Sequence, residues 1–314
     1  MEFKHIPVML NECIEGLNIK PDGVYIDGTV GGAGHSVEIA DRLGYNGQLI
    51  GIDRDLFAIQ TASQRLSPYS NVQLIHDNHD NIKKIMKTLN VPGVDGILLD
   101  LGVSSHQLDE RERGFSYMGE GQLDMRMDTT QTLTAWTVVN TYKEADLAQL
   151  IFEYGEERYA KKIAKVICEK RKKKTIDTTT ELAQLVESCV PYNKNDGHPA
   201  KRTFQAVRIE VNDELHPLYK TITECISVLN PQGRLCVLTF HSLEDKMVKK
   251  AMADCAGKCK CPPGLPYCSC GARSDGIVIT HKPILPSADE IKKNPRSKSA
   301  KLRIFERKGV FNID

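Results

Sequence analysis

Residues 24–36 read VYIDGTVGGAGHS, a short apolar run followed by a glycine-rich turn. The run that ends at Asp27 is typical of a buried strand, and the text after the turn is typical of a helix. Glycines in a strand-to-helix turn let a ligand approach the backbone, and the helix N-terminus offers free N–H groups. The stretch therefore predicts the first strand of an open α/β sheet with a ligand-binding turn at its end.

Further apolar runs rich in β-branched residues alternate with helical patterns. The later predicted strands are Gln48–Asp53, Val72–His76, Gly96–Asp100, Arg234–Phe240, Gly276–Thr280 and Lys301–Glu306. Parallel strands joined by helices form a doubly wound sheet, and the last two runs would complete seven strands. The predicted fold class is α/β, with a seven-stranded Rossmann-like sheet.

The alternation stops after the fourth strand. Residues 105–211 are helical in pattern and charged, and the periodic stretch 145–173 predicts one long helix. We expect residues 1–104 and 212–314 to form the sheet domain, and residues 105–211 to form an inserted all-helical domain.

Length and charge limit the possible functions. The chain has 314 residues, with 42 lysines and arginines against 41 acidic residues and a net charge of +1. This balance argues neither for nor against a nucleic-acid partner. No run approaches the ~20 apolar residues that span a bilayer, and the N-terminus lacks a signal-peptide apolar core. A cytoplasmic protein without a membrane partner is expected.

The second strand ends at Asp53, at the spacing from the glycines where a carboxylate accepts the ribose hydroxyls of a nucleotide. Nicotinamide dehydrogenases and S-adenosylmethionine (SAM) methyltransferases both place an acid there. The turn departs from Gly-x-Gly-x-x-Gly at Thr29 and Ala33. Asp27, the polar cluster 76–79 and the antiparallel-looking final strands favour SAM. The expected sheet is therefore that of a class I SAM-dependent methyltransferase.

Asp100 ends the fourth strand and is the predicted catalytic residue. In an open α/β sheet the ligand crevice lies outside the carboxyl ends of the strands, so Asp100 should lie beside the sulfonium. A cytosine amine attacks a methyl group poorly unless acceptors hold its hydrogens, and a carboxylate can do so. The Asp- or Asn-Pro-Pro-aromatic element of many amino-methyltransferases is absent here. A strand-end capping role is the alternative for Asp100.

Several longer strings are more specific than these loops. They are LLDLGVSSHQLD at 98–109, RGFSY at 113–117, LDMRMD at 123–128, YGEER at 154–158, RTFQAVRI at 202–209 and FHSLED at 240–245, with HIPVML at 5–10 and NPRSKS at 294–299. Together they resemble the family of bacterial small-subunit ribosomal RNA cytosine-N4 methyltransferases, RsmH, formerly MraW. The resemblance covers nearly the whole chain.

This resemblance implies methylation of N4 of one cytosine at the decoding centre of 16S ribosomal RNA, with SAM as the methyl donor, in the cytoplasm. The implied partner is the small ribosomal subunit, and a homodimer is also implied. Two alternatives stay open at this point. One is a methyltransferase for another nucleic-acid amine, and the other is a non-catalytic ribosome assembly factor that retains the SAM-binding fold.

The resemblance also assigns cofactor-binding residues. Their positions in this chain are Gly31, Gly32, Ala33, Gly34, His35, Asp53, His79, Asp100 and Gln107. Ala33, Gly34 and His35 would hold the methionine end and Asp53 the ribose. His79 would lie on the adenine side, where the family commonly has Phe. Asp100 and Gln107 would lie near the sulfonium.

RNA contacts are predicted in the inserted domain. Trp136 is the only tryptophan, and the alternatives for it are a core position or stacking on a flipped base. Lys172, Lys173 and Lys174 close the predicted long helix, and they either complement its dipole or contact phosphates.

Two further patterns carry weaker hypotheses. His241, Ser242 and Asp245 could suggest a hydrolase, but their spacing does not match a nucleophile elbow, and a capping box formed by Ser242 and Asp245 is favoured. A second group of residues could form a structural zinc site, although one-residue gaps are unusual for zinc. Its members are Cys259, Cys261, Cys268 and Cys270. Free thiols in a turn-rich loop are the alternative.

Overall fold

The computed structural model describes residues 7–191, 197–257, 261 and 273–309. The chain divides into two compact units. Met1–Gly102 together with Leu215–Asp314 forms the first, which we name the sheet unit, and Val103–Glu214 forms the second, the helical unit. The roles expected for the two parts of the chain, SAM binding and RNA recognition, stay predictions.

The sheet unit contains a seven-stranded sheet. Its strands are β1 Val24–Asp27, β2 Gln48–Asp53, β3 Val72–His76, β4 Val94–Asp100, β5 Leu229–Thr239, β6 Gly276–Val278 and β7 Lys301–Arg307. The order across the sheet is β3-β2-β1-β4-β5-β7-β6, and β7 is antiparallel to both of its neighbours. The predicted α/β fold class is confirmed.

The strands β1, β2 and β4 match the predicted runs because both faces of the sheet are covered there. The central residues of β1, β2 and β4 are buried along almost their whole length. A strand that is buried on both faces has a continuous apolar sequence, which is easy to recognise. β5 is longer than predicted and starts at Leu229, because its polar first residues carry no strand pattern.

Helices cover both faces of the sheet. The helices of the sheet unit are α1 Leu10–Leu17, α2 Gly34–Ala40, α3 Leu56–Arg65, α4 Ile82–Thr88, α11 Leu218–Val228, α12 Ser242–Cys255 and α13 Ala288–Lys293. From β1 to β3 the connections move in one direction across the sheet, and from β3 to β5 they move in the other. Because such connections are right-handed, α2 and α3 lie on one face and α4 on the opposite face.

The helical unit has its own apolar core. Its helices are α5 Ser105–Asp109, α6 Ala135–Thr141, α7 Glu144–Gly155, α8 Ala160–Arg171, α9 Thr179–Cys189 and α10 Lys201–Asn212. The buried cluster includes Val138 from α6, Leu147 and Ile151 from α7, Ile163 from α8 and Val207 from α10. This unit therefore has a core of the kind that defines a domain.

The single helix predicted over residues 145–173 is wrong, because the chain forms α7 and α8 with a break between them. Glu156 adopts a left-handed conformation with φ +50° and ends α7. Gly155 lies against α10, where a Cβ would be 2.7 Å from the Arg202 carbonyl oxygen. Both helices bury one apolar stripe, so the apolar periodicity alone does not show the break.

No helix within the described ranges is long and apolar enough to cross a membrane.

Candidate cofactor site and reactive edge

The turn after β1 has a tightly bent backbone. Gly31 has φ +50°, and Ala33, the N-cap of α2, has φ +59°. A residue with a side chain is strained in this region, and such strain is concentrated at functional sites. At Gly34 a Cβ would lie 2.4 Å from Cγ of Pro7. The turn predicted to bind the cofactor is therefore narrow and formed mainly by backbone atoms.

Asp53 ties the end of β2 to this turn. Its Oδ2 accepts a hydrogen bond from the Gly31 N–H at 2.8 Å, and its Oδ1 accepts one from the Asp55 N–H at 2.8 Å. Burial raises the pKa of Asp53. The neighbouring Gly32 carbonyl accepts a hydrogen bond from the Arg65 guanidinium. Each carboxylate oxygen can accept two hydrogen bonds, so Asp53 keeps capacity for ribose hydroxyls.

Asp27 lies buried beneath the turn. Its Oδ2 accepts a hydrogen bond from the Ser36 hydroxyl at 2.5 Å, and its Oδ1 accepts one from the Thr29 N–H at 3.2 Å. Burial raises the pKa of Asp27 to about 6, against the opposing effect of these two hydrogen bonds. Asp27 therefore holds the turn against the first residues of α2.

Asp100 lies at the carboxyl end of β4, the strand next to β1. Its N–H donates to Thr29 Oγ1 at 2.6 Å, which fixes the strand end to the turn. Its Oδ2 lies 3.8 Å from His35 Nδ1. Its Oδ1 is buried and has no hydrogen-bond partner among the described residues. Buried acceptors are nearly always paired, so an unpaired one suggests a ligand.

Electrostatics sets Asp100 apart from other strand-end acids. Burial raises its pKa to about 8, and the nearby carboxylates of Asp27 and Glu244 add to the increase. A cation placed beside these three acids would favour their ionised forms. A strongly raised carboxyl pKa at the crevice of an α/β sheet indicates a functional site.

Two histidines flank the same edge of the sheet. His35 is buried in α2, and its Nε2 lies 3.1 Å from the Val8 carbonyl oxygen. His79 follows β3 in a short 3₁₀ helix, and its Nε2 lies 3.7 Å from Asp80 Oδ1. Burial lowers the pKa of His79 to about 4. His79 is therefore a neutral ring, which is compatible with the adenine contact that stays a prediction.

The turn between β5 and α12 corrects one prediction. The N-cap of α12 is His241 and its capping partner is Glu244, so the capping box predicted for Ser242 and Asp245 is wrong. Asp245 instead accepts a hydrogen bond from Arg303 Nε at 2.6 Å and pairs with Lys301 at 3.2 Å. The prediction placed the capping box one residue too far along the chain, because histidine is an uncommon N-cap.

Glu244 is a site residue that the sequence analysis missed. Its side chain is 2% exposed, and its Oε2 accepts a hydrogen bond from the Phe240 N–H at 2.8 Å. It also contributes to the raised pKa of Asp100. Its position three residues after His241 is the signal that could have identified it as a capping residue.

The other predicted site residues belong to the helical unit. Gln107 lies in α5, where its Oε1 accepts a hydrogen bond from the Ser104 N–H at 3.0 Å in a capping box. Trp136 is 39% exposed, and its Nε1 donates to Asp177 Oδ1 at 2.9 Å. Trp136 is therefore not a core residue.

The lysine run follows the end of α8. Lys172, Lys173 and Lys174 are exposed, and Lys174 pairs with Glu181 at 2.8 Å. The loop that contains Asp177 comes directly after them, so Trp136 is fastened to the same loop as the lysines. The structure brings these two sets of predicted RNA-binding residues together on one surface of the helical unit.

The predicted zinc ligands fall mostly outside the described residues. Cys259, Cys268 and Cys270 are not described, and Cys261 lies in the described part. No contact of the described residues supports zinc at these cysteines.

The fold and the site define a class of protein. A Rossmann-like sheet of this strand order, with an antiparallel β7 and a glycine turn bordered by acids at the ends of β1, β2 and β4, is that of a class I SAM-dependent methyltransferase. The family model described as the MraW methylase family matches residues 2–308. The chain belongs to this family, as the sequence motifs indicated.

Curated relatives match the sequence of this chain over nearly their full length. One is named Ribosomal RNA small subunit methyltransferase H, from Clostridioides difficile, and is 54% identical over 310 residues, covering 98% of this chain and 100% of the relative. Another of the same name, from Lachnospira eligens, is 53% identical and covers 98% of both chains. A solved rRNA methylase from Streptococcus thermophilus matches with a TM-score of 0.43 at 12% identity, covering 98% of this chain and 99% of that one. The family assignment is based on the family model and the curated relatives.

Proposed function

We propose that this protein transfers the methyl group of SAM to the exocyclic N4 amine of a cytosine at the decoding centre of 16S ribosomal RNA. The observation that carries the proposal is Asp100, whose Oδ1 is buried without a partner among the described residues. This atom lies at the carboxyl edge of the sheet, beside the glycine turn, in a chain whose curated relatives are named as small-subunit ribosomal RNA methyltransferases.

The residues present fit SAM. The backbone of residues 31–35 would hold the methionine end, and Asp53 has acceptor capacity for the ribose hydroxyls. Neutral His79 would lie beside the adenine. Asp27 and Asp100 together offer buried negative charge to a cationic ligand. Gln107 is assigned to the sulfonium neighbourhood by the family motif alone.

Methyl transfer to the amine requires a hydrogen-bond acceptor for the amine hydrogens more than it requires an acid for the leaving group. When bound, SAM supplies a methyl group on a positively charged sulfur that leaves as a neutral thioether. The nitrogen lone pair of a cytosine amine is delocalised into the ring. Asp100 Oδ1 would accept one amine hydrogen and so direct the lone pair toward the methyl carbon. As the N–C bond forms and the C–S bond breaks, the amine loses one proton to water.

The helical unit supplies the RNA contacts in this proposal. The Trp136 ring would stack on an unpaired base, with its Nε1 held by Asp177. Lys172 and Lys173 would contact phosphates near that base. Stacking and charge in close proximity are the usual combination in proteins that bind single-stranded RNA.

The test uses small ribosomal subunits that lack the modification, labelled SAM and nucleoside analysis of the RNA. Wild type should produce N4-methylated cytidine, and Asp100→Asn should lower the rate by at least about 100-fold while the folded state is retained. Asp95→Asn is the matched control, because Asp95 lies in the same strand and its Oδ2 accepts a hydrogen bond from the Val24 N–H. Asp95→Asn should retain the wild-type rate.

Three results would contradict the proposal. Equal rates for Asp100→Asn and wild type would show that Asp100 has no role in the reaction. Methylation of a different amine would favour a methyltransferase for another nucleic acid. Binding of SAM and subunits without any transfer would indicate a non-catalytic assembly factor.

The remaining partners are part of the same proposal. We infer an association with the small ribosomal subunit, whose RNA appears in the names of the curated relatives, and a location in the cytoplasm. On the basis of the family resemblance, we also propose that the protein forms a homodimer. Analytical ultracentrifugation at micromolar concentration tests the homodimer, and a monomeric sedimentation coefficient would contradict it.

A further inference from the structure

Three neighbouring helices of the sheet unit carry an unusual excess of lysines. α11 packs against both α4 and α12. Their lysines are Lys83, Lys84 and Lys87 in α4, Lys220 in α11, and Lys246, Lys249 and Lys250 in α12. All seven are exposed. We name this set the lysine face.

Few acids neutralise the lysine face. Lys220 lies 3.9 Å from Glu224, and Lys250 lies over the ring of Tyr219 at 5.6 Å. The other five lysines form no ion pair within the described part of the chain. Of the three acids of α12, Glu244 and Asp245 have other partners inside the sheet unit, and Asp254 accepts a hydrogen bond from the Tyr219 hydroxyl at 2.8 Å. The lysine face therefore has a strong local positive charge.

The positions of these lysines work against helix stability. Lys83 and Lys84 lie in the first turn of α4, and Lys220 lies in the first turn of α11. Cations near a helix N-terminus oppose the helix dipole. Lys246, Lys249 and Lys250 are spaced as helical neighbours, where like charges destabilise a helix by a few tenths of a kcal/mol. Of the seven lysines, Lys87 in the last turn of α4 complements the helix dipole, and Lys220 has an i,i+4 acid, Glu224. Local stability gives no reason for the other five.

The opposite face of the sheet differs in charge. α1, α2 and α3 share one apolar cluster on that face. Glu12 and Glu15 lie in α1 and Glu38 in α2, and the cation Arg42 pairs with Glu38 at 2.6 Å. α3 adds one cation, Arg65, so these three helices carry both signs of charge and lack the lysine excess of α4, α11 and α12.

The lysine face begins at the reactive edge. A helix that follows a parallel strand starts at the carboxyl end of that strand, so α4 and α12 start at the edge where Asp100 lies. The start of α11 is joined to the same edge, because the Thr221 hydroxyl donates to Asp80 in the 3₁₀ helix that contains His79. Lys83, Lys220 and Lys246 are therefore close to the carboxyl edge of the sheet.

We infer that the lysine face binds the phosphate backbone of the RNA substrate as it leaves the reactive edge. This inference rests on the proposed function for the identity of the partner as RNA. The sheet unit then contributes its own RNA contacts, in addition to Trp136 and the lysine run of the helical unit. Such contacts depend on charge and read no base sequence.

The experiment measures binding of a fluorescently labelled fragment of 16S ribosomal RNA at several salt concentrations, with full-length protein. Lys84→Glu combined with Lys249→Glu changes two helices of the face. We expect affinity to fall by about 10-fold or more, and the salt dependence to become shallower by about one unit of slope for each phosphate that the variant no longer binds. Lys20→Glu is the control, because Lys20 precedes β1 at the opposite edge and should leave both quantities unchanged.

Thermal unfolding and SAM binding of each variant establish that the fold is intact. Wild-type affinity and slope in the double variant would overturn the inference. Loss of activity on intact subunits without any decrease in RNA affinity would also overturn it, because the face would then bind a protein. A lysine-dependent salt slope in a protein that transfers no methyl group would support the lysine face and reject the proposed function.

Discussion

Asp100 is surrounded by groups that make its ionisation costly until a cation arrives. Its side chain is 23% exposed, yet Oδ1 is buried and the carboxylates of Asp27 and Glu244 are near. The sequence identified Asp100 from its place at a strand end. The sequence could not show that Glu244 lies near Asp100, because the two acids are far apart along the chain and meet through the pairing of β4 with β5.

Binding of SAM should release protons. In the SAM-free protein the pKa of Asp100 is raised to about 8, so near pH 7 this group is mostly protonated. A cationic ligand favours the ionised form, so SAM affinity should rise from pH 6 to 8 and level off above that range. Calorimetry in buffers of different ionisation enthalpy measures the proton release.

Asp100→Asn is the control for proton release. This variant should retain the fold, release fewer protons and show a flatter pH dependence of SAM affinity. S-adenosylhomocysteine, which lacks the sulfonium charge, should also release fewer protons from wild type. Identical proton release in wild type and Asp100→Asn would show that the raised pKa of Asp100 is unrelated to the cofactor.

Trp136 should contribute to RNA binding through its ring. Stacking on one base is worth about 1–3 kcal/mol, so Trp136→Ala should weaken binding of a 16S ribosomal RNA fragment by roughly 5- to 150-fold. Trp136→Phe should recover part of the affinity. Phe152→Ala is a matched control, because Phe152 is an aromatic residue of the same unit that is 62% exposed. Equal effects of the two alanine variants would argue against stacking at Trp136.

At the scale of elements, the sequence predicts strands better than it predicts the helical unit. Strands with two covered faces have continuous apolar sequences, and their bounds were found to within a few residues. The break between α7 and α8 depends on the left-handed Glu156 and on the approach of α10 to Gly155. Neither feature has a distinctive local sequence.

The family motif at 123–128 is a loop that α10 holds in place. The Asn212 amide donates to the Met125 carbonyl at 2.7 Å, and its Oδ1 accepts a hydrogen bond from the Met127 N–H at 2.7 Å. Asn212 is 4% exposed, so water cannot replace these bonds. A sequence read along the chain does not show this contact, because 85 residues separate Asn212 from Met127.

Asn212→Ala should destabilise the protein by about 2–4 kcal/mol, since it leaves buried backbone groups of the loop without partners. Denaturant unfolding measures this decrease in stability. Asn140→Ala is the control, because the Asn140 amide makes the same pair of bonds to the backbone of Ile176 at a half-buried position. A decrease no larger than that of Asn140→Ala would show that Asn212 has no special role.

At the scale of the whole molecule, the net charge of +1 conceals a segregated distribution. The lysine face lies on α4, α11 and α12, whereas α1, α2 and α3 carry three acids and one cation, Arg65. Composition could not reveal this pattern, because it appears only when the strand order assigns each helix to a face. The sequence therefore predicted the fold class correctly and left the charge distribution open.

RNA binding and SAM binding should differ in their dependence on salt concentration. An increase from 50 to 200 mM salt should weaken RNA binding by about 10-fold or more, because several phosphate contacts release counterions. The buried acids at the proposed SAM site are screened much less, so SAM affinity should change by less than about 2-fold. Fluorescence anisotropy for RNA and calorimetry for SAM provide the two measurements. RNA affinity that changes by less than about 2-fold over the same range would mean that RNA binding does not depend on clustered surface charge.

The central claim is the transfer of a methyl group to a cytosine amine. The most direct test is incubation of unmodified small subunits with SAM that carries an isotopically heavy methyl group, followed by digestion and mass spectrometry of the nucleosides. The account predicts that the heavy methyl group appears in N4-methylcytidine, separable by chromatography from cytidine methylated on C5 or on the ribose. A heavy methyl group found in any other nucleoside, or in none, would contradict it.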